Sequence, residues 1–313
     1  QRQMCIRDRF RILLWAALGA VLLLAAVVGL RYAGAVAAVA AYAANAPATL
    51  GPIGVTEHLT ILPIFEKATR SEDLVMGHGV AYLIRTDATS ILMDTGFNPD
   101  NLAPSPIEQN MAQLGITRDD FDTIYITHPH PDHTGGVNWW LQRTFALGNT
   151  QIDLSDKQLL TPITMTYPGA SPEAANAARI LAPGVATLGA IPFVDIFPLS
   201  LFRPQMIEQV LAVNVADVGV ILITGCGHPG LERMVRIAEQ VLGQPVVGVV
   251  GGLHYGETVT ANVDEGIALL TERNAKLVAL SPHDTGPAGL AAFAHAFPQA
   301  YRPVIVGEEI IVR

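Results

Sequence analysis

The run Thr127-His128-Pro129-His130-Pro131-Asp132-His133-Thr134-Gly135-Gly136 constrains this chain more than any other stretch of it. Four potential metal ligands stand within six residues, in the order His-x-His-x-Asp-His. Residues 121–126, Phe-Asp-Thr-Ile-Tyr-Ile, precede them and read as a buried strand from their β-branched and aromatic content. Alternate residues of an extended chain face the same way, so His128 and His130 can grip one ion together. Pro129 and Pro131 have a fixed φ and no N–H, which keeps the stretch extended and outside any sheet ladder. Asp132 and His133 then fall on the following turn, close enough to hold a second ion. Gly135 and Gly136 leave room for backbone to pass near the site.

The rest of the chain repeats this arrangement of strand followed by polar block. Leu59-Thr60-Ile61-Leu62 reads as a strand, and 80–84 and 90–93 as two more joined by a short hairpin through Asp87; the second ends in Asp94-Thr95-Gly96. Pro106 to Leu114 is a plausible helix. From Val218 onward strands and helices alternate: strands at 218–223, 246–250 and 276–280, helices at 231–242, 263–274 and 287–297, and strand-like residues from Tyr301 to Val312. The strands end in Thr224-Gly225-Cys226-Gly227-His228, in Gly251-Gly252-Leu253-His254 and in Ser281-Pro282-His283-Asp284. Functional groups collect in such places because a rigid sheet positions the loops that carry them. Residues 141–207, rich in Pro, Ala, Leu and Ile, admit two readings, ordinary core with loops or an apolar insertion capping the site.

Ile12 to Leu30 is an unbroken run of apolar residues and Gly, with Arg2, Arg7, Arg9 and Arg11 ahead of it. That length spans a bilayer, and the arginines place the N-terminus in the cytoplasm and the body on the other side, periplasmic or extracellular. An uncleaved anchor is the favoured reading; the small residues at 41–43 and 44–46 make signal cleavage its rival. The expected organisation is a tail and membrane anchor over 1–31, an Ala-rich spacer or helix extension over 32–54, and one folded domain over 55–313. Half of the chain is hydrophobic and 15% is charged, enough for a substantial core. Residues 1–31 carry a balance of +4 within the net charge of −9, so the remainder carries −13 and repels nucleic acid. Two cysteines, Cys5 and Cys226, exclude a disulfide framework.

The run 127–136 resembles the signature of the metallo-β-lactamase superfamily of metal-dependent hydrolases. Together with Gly77-His78-Gly79-Val80, Met93-Asp94-Thr95-Gly96 and the blocks at 224–228, 251–254 and 282–286, it is similar to the subgroup labelled dihydropterin-type aminobenzene-phosphate synthases. The chain departs from that subgroup at Pro129, Pro131, Gly227 and Asp284, where the subgroup has Gly, Tyr, Ser and Cys. The resemblance implies an α/β protein, a four-layered αβ/βα sandwich with two divalent metal ions at one edge, zinc first and manganese or iron as alternatives. It implies that His128, His130 and His228 hold one ion, and Asp132, His133 and His283 the other. Two such ions lower the pKa of a shared water and polarise the group under attack, and Asp132 orients that water or carries its proton. Cys226 is read as a small buried hydrophobe ahead of a ligand, His254 as ligand or supporting donor with equal weight, and His78 and Asp94 as groups that orient the ligands. His58 and His295 carry no motif, and Trp139 and Trp140 read as core.

The function expected is hydrolysis of a small ester, lactone, amide or phosphoester by a membrane-anchored enzyme. An iron-dependent redox member and a non-catalytic metal-binding domain are the alternatives; His130 speaks against the first and the retained Asp132-His133 pair against the second. Serine hydrolase chemistry lacks its Gly-x-Ser-x-Gly elbow.

Overall fold

The computed structural model describes residues 2–45, 47–195, 205–255 and 261–313. It divides into two units, one made of 1–45 with 192–206 and the other of 46–191 with 207–313.

The first unit is dominated by helix α1 (Arg2–Ala44). The helix runs through the Ala-rich stretch after residue 31, so that stretch extends the helix. Ala and Leu are strong helix formers, and no proline interrupts them. The part over Asp8–Ala43 is long and apolar enough to cross a membrane. Leu13, Trp15, Leu23 and Leu30 all stand exposed on it.

The second unit holds the two sheets and the His-containing blocks. Its elements are β1 (Leu59–Phe65), β2 (Ala81–Thr86), β3 (Ser90–Met93), α2 (Pro106–Gln113), β4 (Thr123–Tyr125), α3 (Val137–Leu141), β5 (Gln158–Thr161), β6 (Glu173–Ala174), β7 (Arg179–Ala182), β8 (Val185–Val194), β9 (Gln205–Val215), β10 (Gly219–Ile223), α4 (Leu231–Leu242), β11 (Val246–Gly251), α5 (Ala261–Glu272), β12 (Leu277–Leu280), α6 (Pro287–Ala296) and β13 (Ile310–Val312). One sheet runs β13-β1-β2-β3-β4-β5-β6 and the other β12-β11-β10-β9-β8-β7.

Period-two alternation explains how the sheets stack. Leu59, Ile61, Tyr82, Ile84, Ile91 and Met93 point into one core, where they meet Leu211, Val213, Ile221, Ile223, Val250 and Ala279 of the other sheet. The intervening residues Leu62, Ile64, Leu83 and Leu92 point the other way and pack with Ile107 of α2. On the far side α4 buries Met234, Val235, Ala238 and Val241. The layers are therefore helix, sheet, sheet, helix, the four-layered sandwich expected. Strands buried on both faces need unbroken apolar runs, and β2 and β10 have them.

The stretch 141–191 is mostly framework. It supplies β5 to β8, and Leu160, Met165, Tyr167 and Val185 are buried. These residues fit the reading of ordinary core with loops; Phe197 and Phe202 lie outside the described residues. Of the strand-like segment 301–312 only β13 forms a strand, since Pro303 and Gly307 interrupt what precedes it.

Candidate metal centre

β3, β4 and β5 run parallel, as do β10, β11 and β12. Parallel neighbours end on the same side, so their C-terminal loops converge, the usual place for a site in such sheets. β3 hands over to Asp94, β4 to the run 127–136, β10 to Cys226 and His228, β11 to His254, and β12 to His283 and Asp284.

The run after β4 closes as a turn, with the His133 N–H donating to the His130 carbonyl at 3.1 Å and the Gly136 N–H to the Pro131 carbonyl at 2.8 Å. Gly135, at φ 87°, lies where a Cβ would come within 2.1 Å of the Ala146 carbonyl oxygen. Gly79, at φ 110°, is packed the same way against the Asp132 carbonyl, 2.4 Å from where its Cβ would be. Its own N–H donates to His283 Nδ1 at 3.1 Å. That bond leaves His283 Nε2 to face Asp132 Oδ2, 2.9 Å away.

Two donor groups result. His128, His130 and His228 form one, and His133, Cys226, His283 and Asp284 the other; within each, the donor atoms lie within 4.8 Å of one another. The rings of His128 and His133 are 4.1 Å apart, so the groups adjoin. The first group is the set that the resemblance implied. The second departs from it: Asp132 bonds His283 and stands outside, whereas Cys226 and Asp284 stand inside. Cys226 is buried, as a small hydrophobe would be, yet its Sγ lies 3.0 Å from His133 Nε2. His254 belongs to neither group. Its ring is 4.3 Å from that of His228 and its Nδ1 is 3.4 Å from Asp284 Oδ1.

Buried carboxylates organise the loops. Asp94, in the left-handed region at φ 60°, accepts the Thr127 N–H and hydroxyl at 2.7 Å each and His133 Nδ1 at 2.6 Å. This places His133 Nε2 toward Cys226, and the Thr127 hydroxyl lies 3.0 Å from His128 Nδ1. Glu66 accepts from Tyr82 OH, Ser281 Oγ and the backbone N–H of His283 at 2.7, 2.5 and 3.0 Å. Glu208 accepts the N–H groups of Gly225, Gly227 and His228 at 3.2, 2.9 and 2.8 Å. Each glutamate thus anchors a loop that carries one of the later histidines. Neither was read from the sequence, although Glu208 interrupts the apolar run of β9 and Glu66 ends that of β1. His78 is exposed, with its ring 5.6 Å edge-on from that of His283, while His58 pairs with Asp87 away from the site.

The electrostatics suit a cation. Burial, then the charges of His133 and His130, push His128 well below the usual imidazole range; burial and His254 do the same to His228. Neutral imidazoles are the form that ligates. Burial also depresses His133, but the Asp94 charge and hydrogen bond, with Asp132 and Asp284, outweigh it and hold its pKa at about 9. Burial lifts Glu208 to about 7 against its backbone donors. Asp284 Oδ2 is shut off from solvent with no hydrogen-bond partner, and His283 Nε2 lies 3.5 Å away. The carboxylate draws hydrogen bonds from Cys226 and His254, so it gathers donors on one side and leaves Oδ2 for a cation. The donor set, imidazole with thiol and carboxylate, fits zinc and other divalent transition metals.

Comparison with known proteins agrees. Residues 75–147 match the family model described as the metallo-beta-lactamase superfamily. A 7,8-dihydropterin-6-methyl-4-(beta-D-ribofuranosyl)-aminobenzene-5'-phosphate synthase of Methanocaldococcus jannaschii is 23% identical over 271 residues, covering 74% of this chain and 89% of that protein. The crystal structure of a metal-dependent hydrolase of the beta-lactamase superfamily superposes with a TM-score of 0.57 at 18% identity, over 80% of this chain and 98% of that one. The metallo-beta-lactamase fold protein YhfI from Bacillus subtilis superposes at 0.50 with 9% identity, over 82% and 100%.

Proposed function

We propose, from the match of residues 75–147 to the metallo-beta-lactamase superfamily and from the two donor groups, that this chain is a membrane-anchored, metal-dependent hydrolase of a small ester, lactone, amide or phosphoester. The observation that supports this reading is the adjacency of two donor groups at one sheet edge, with His128 and His133 in ring contact at 4.1 Å. His128, His130 and His228 would hold one divalent ion, and His133 and His283 with Cys226, Asp284 or Asp132 the other. Ions so held supply Lewis acidity and a water acidic enough to ionise near neutral pH.

The chain's own residues do the rest. Asp132, with its side chain 24% exposed against 14% for Asp284, is the more exposed of the two carboxylates beside His283. It orients an attacking water and takes its proton, while its bond to His283 fixes its direction. Asp94, Glu66 and Glu208 hold the ligand loops, so little reorganisation accompanies binding. A cavity of about 530 Å³ bordered by His228, Leu231, Leu253, His254, Tyr255 and Leu269 is of a size for a small molecule. The acidic body disfavours polyanions, and α1 supplies the anchor.

The test is elemental analysis of the purified chain followed by a panel of esters, lactones, amides and phosphoesters. About two metal ions per chain are expected, with turnover lost to a chelator. Asp132→Ala should lower the rate about 10²- to 10⁴-fold with the three-histidine ion retained. A metal-replete protein inert across the panel would leave a binding domain. A second reading, group transfer, is favoured by the synthase name of the archaeal relative; product analysis with an added acceptor separates it from hydrolysis.

A further inference from the structure

The two donor groups differ in composition and in what surrounds them. The three-histidine group offers neutral donors only, and His130 and His228 are half-buried. The cavity of about 530 Å³ touches this group through His228, and no member of the other group lines it. The other group has four protein donors: two imidazoles, the Cys226 sulfur and the Asp284 carboxylate. His133 and Cys226 are buried, and Sγ and Nε2 already face each other at 3.0 Å. Asp284 Oδ2 is buried without a hydrogen bond, with His283 Nε2 3.5 Å away, so the carboxylate that Cys226 and His254 bond keeps one oxygen for a cation.

Four protein ligands close a tetrahedral site, whereas three leave a coordination position open. We propose that the two positions are unequal: His133, Cys226, His283 and Asp284 form a closed site with Cys226 as a thiolate ligand, and the three-histidine site alone keeps a place for substrate. This rests on the metal-dependent reading above and goes beyond it by assigning a retained ion and a reacting ion. Two anionic donors against none also make the closed site the tighter one, so it fills first. Binding there exchanges the thiol proton for the ion and involves no change of oxidation state.

The experiment uses the full chain in detergent with Cys5→Ser, which leaves Cys226 as its only thiol. The metal-free protein is titrated with cobalt(II) and followed by absorption. The near-ultraviolet thiolate-to-cobalt charge-transfer band is expected to grow with the first equivalent and stop there, while the second equivalent adds only ligand-field absorption. One equivalent of zinc should protect Cys226 from alkylation. Cys226→Ser should abolish the band and weaken the first equivalent by at least about tenfold, since loss of a donor costs no less than loss of an outer partner. Should that variant not fold, the parent titration decides, and Asp284→Asn, with the thiol kept, should keep the band but weaken its binding. Two equivalents bound with no charge-transfer band, or with one that appears only at the second, would overturn the proposal and leave the metal-dependent reading intact. No cobalt bound at all would overturn both.

Discussion

At the scale of single residues, the candidate site depends on groups that stand outside both donor sets. Asp94 is the clearest, because one carboxylate holds both Thr127 and His133. Asp94→Asn keeps the shape and removes the charge behind His133, so metal affinity of the His133 group should fall about 10- to 100-fold, measured by competition with a chromophoric chelator. Unchanged affinity would mean that Asp94 serves packing alone. His128, His130 and His133 were legible in the sequence because they are neighbours in it and their spacing has a geometric meaning. The grouping of Cys226 and Asp284 with His133 and His283 was not, because it joins loops from three strands. Their position beside His228 and His283 was the available signal. Glu66 and Glu208 left a fainter trace, a charge inside a strand-like run, which local periodicity alone would score as a strand end.

At the scale of elements, the first turn into the sandwich is tied to the β2–β3 hairpin by one exposed carboxylate. Asp87 pairs with the His58 ring at 2.8 Å and accepts from Thr56 Oγ1 at 2.8 Å and the Glu57 N–H at 2.5 Å. The His58 and Thr56 bonds, with that backbone donor, lower its pKa from 3.8 to about 2. A carboxylate whose pKa falls on folding stabilises the fold above its unfolded value and loses that contribution as the pH drops through the folded one. The melting temperature should therefore decline between about pH 4 and pH 2, and Asp87→Asn should flatten that decline. An identical acid profile in the variant would place the loss elsewhere. Elements with clean periodicity were readable in advance, as with α4, whose bounds match those read from the sequence. The strands β5 to β9 were not, because short strands among prolines show little alternation, and β8 and β9 are defined by pairing with each other.

At the scale of the whole molecule, an apolar helix and an acidic enzyme-like body share one chain. If α1 is an anchor, the full chain should sediment with membranes and need detergent for release, and a reporter fused after residue 313 should work only outside the cytoplasm. Activity of that reporter confined to the cytoplasm would refute this topology. The pairing of β13 with β1, Ile310 opposite Ile61, has a kinetic consequence. It joins the two ends of the body, so no amino-terminal fragment can complete the edge of the first sheet. Contacts of such long range make folding slow, because the entropy of closing the whole loop is lost before the ladder forms. Until then the outer edge of β1 is an open template for strands of other chains, and dilution during refolding protects this protein at its most vulnerable moment.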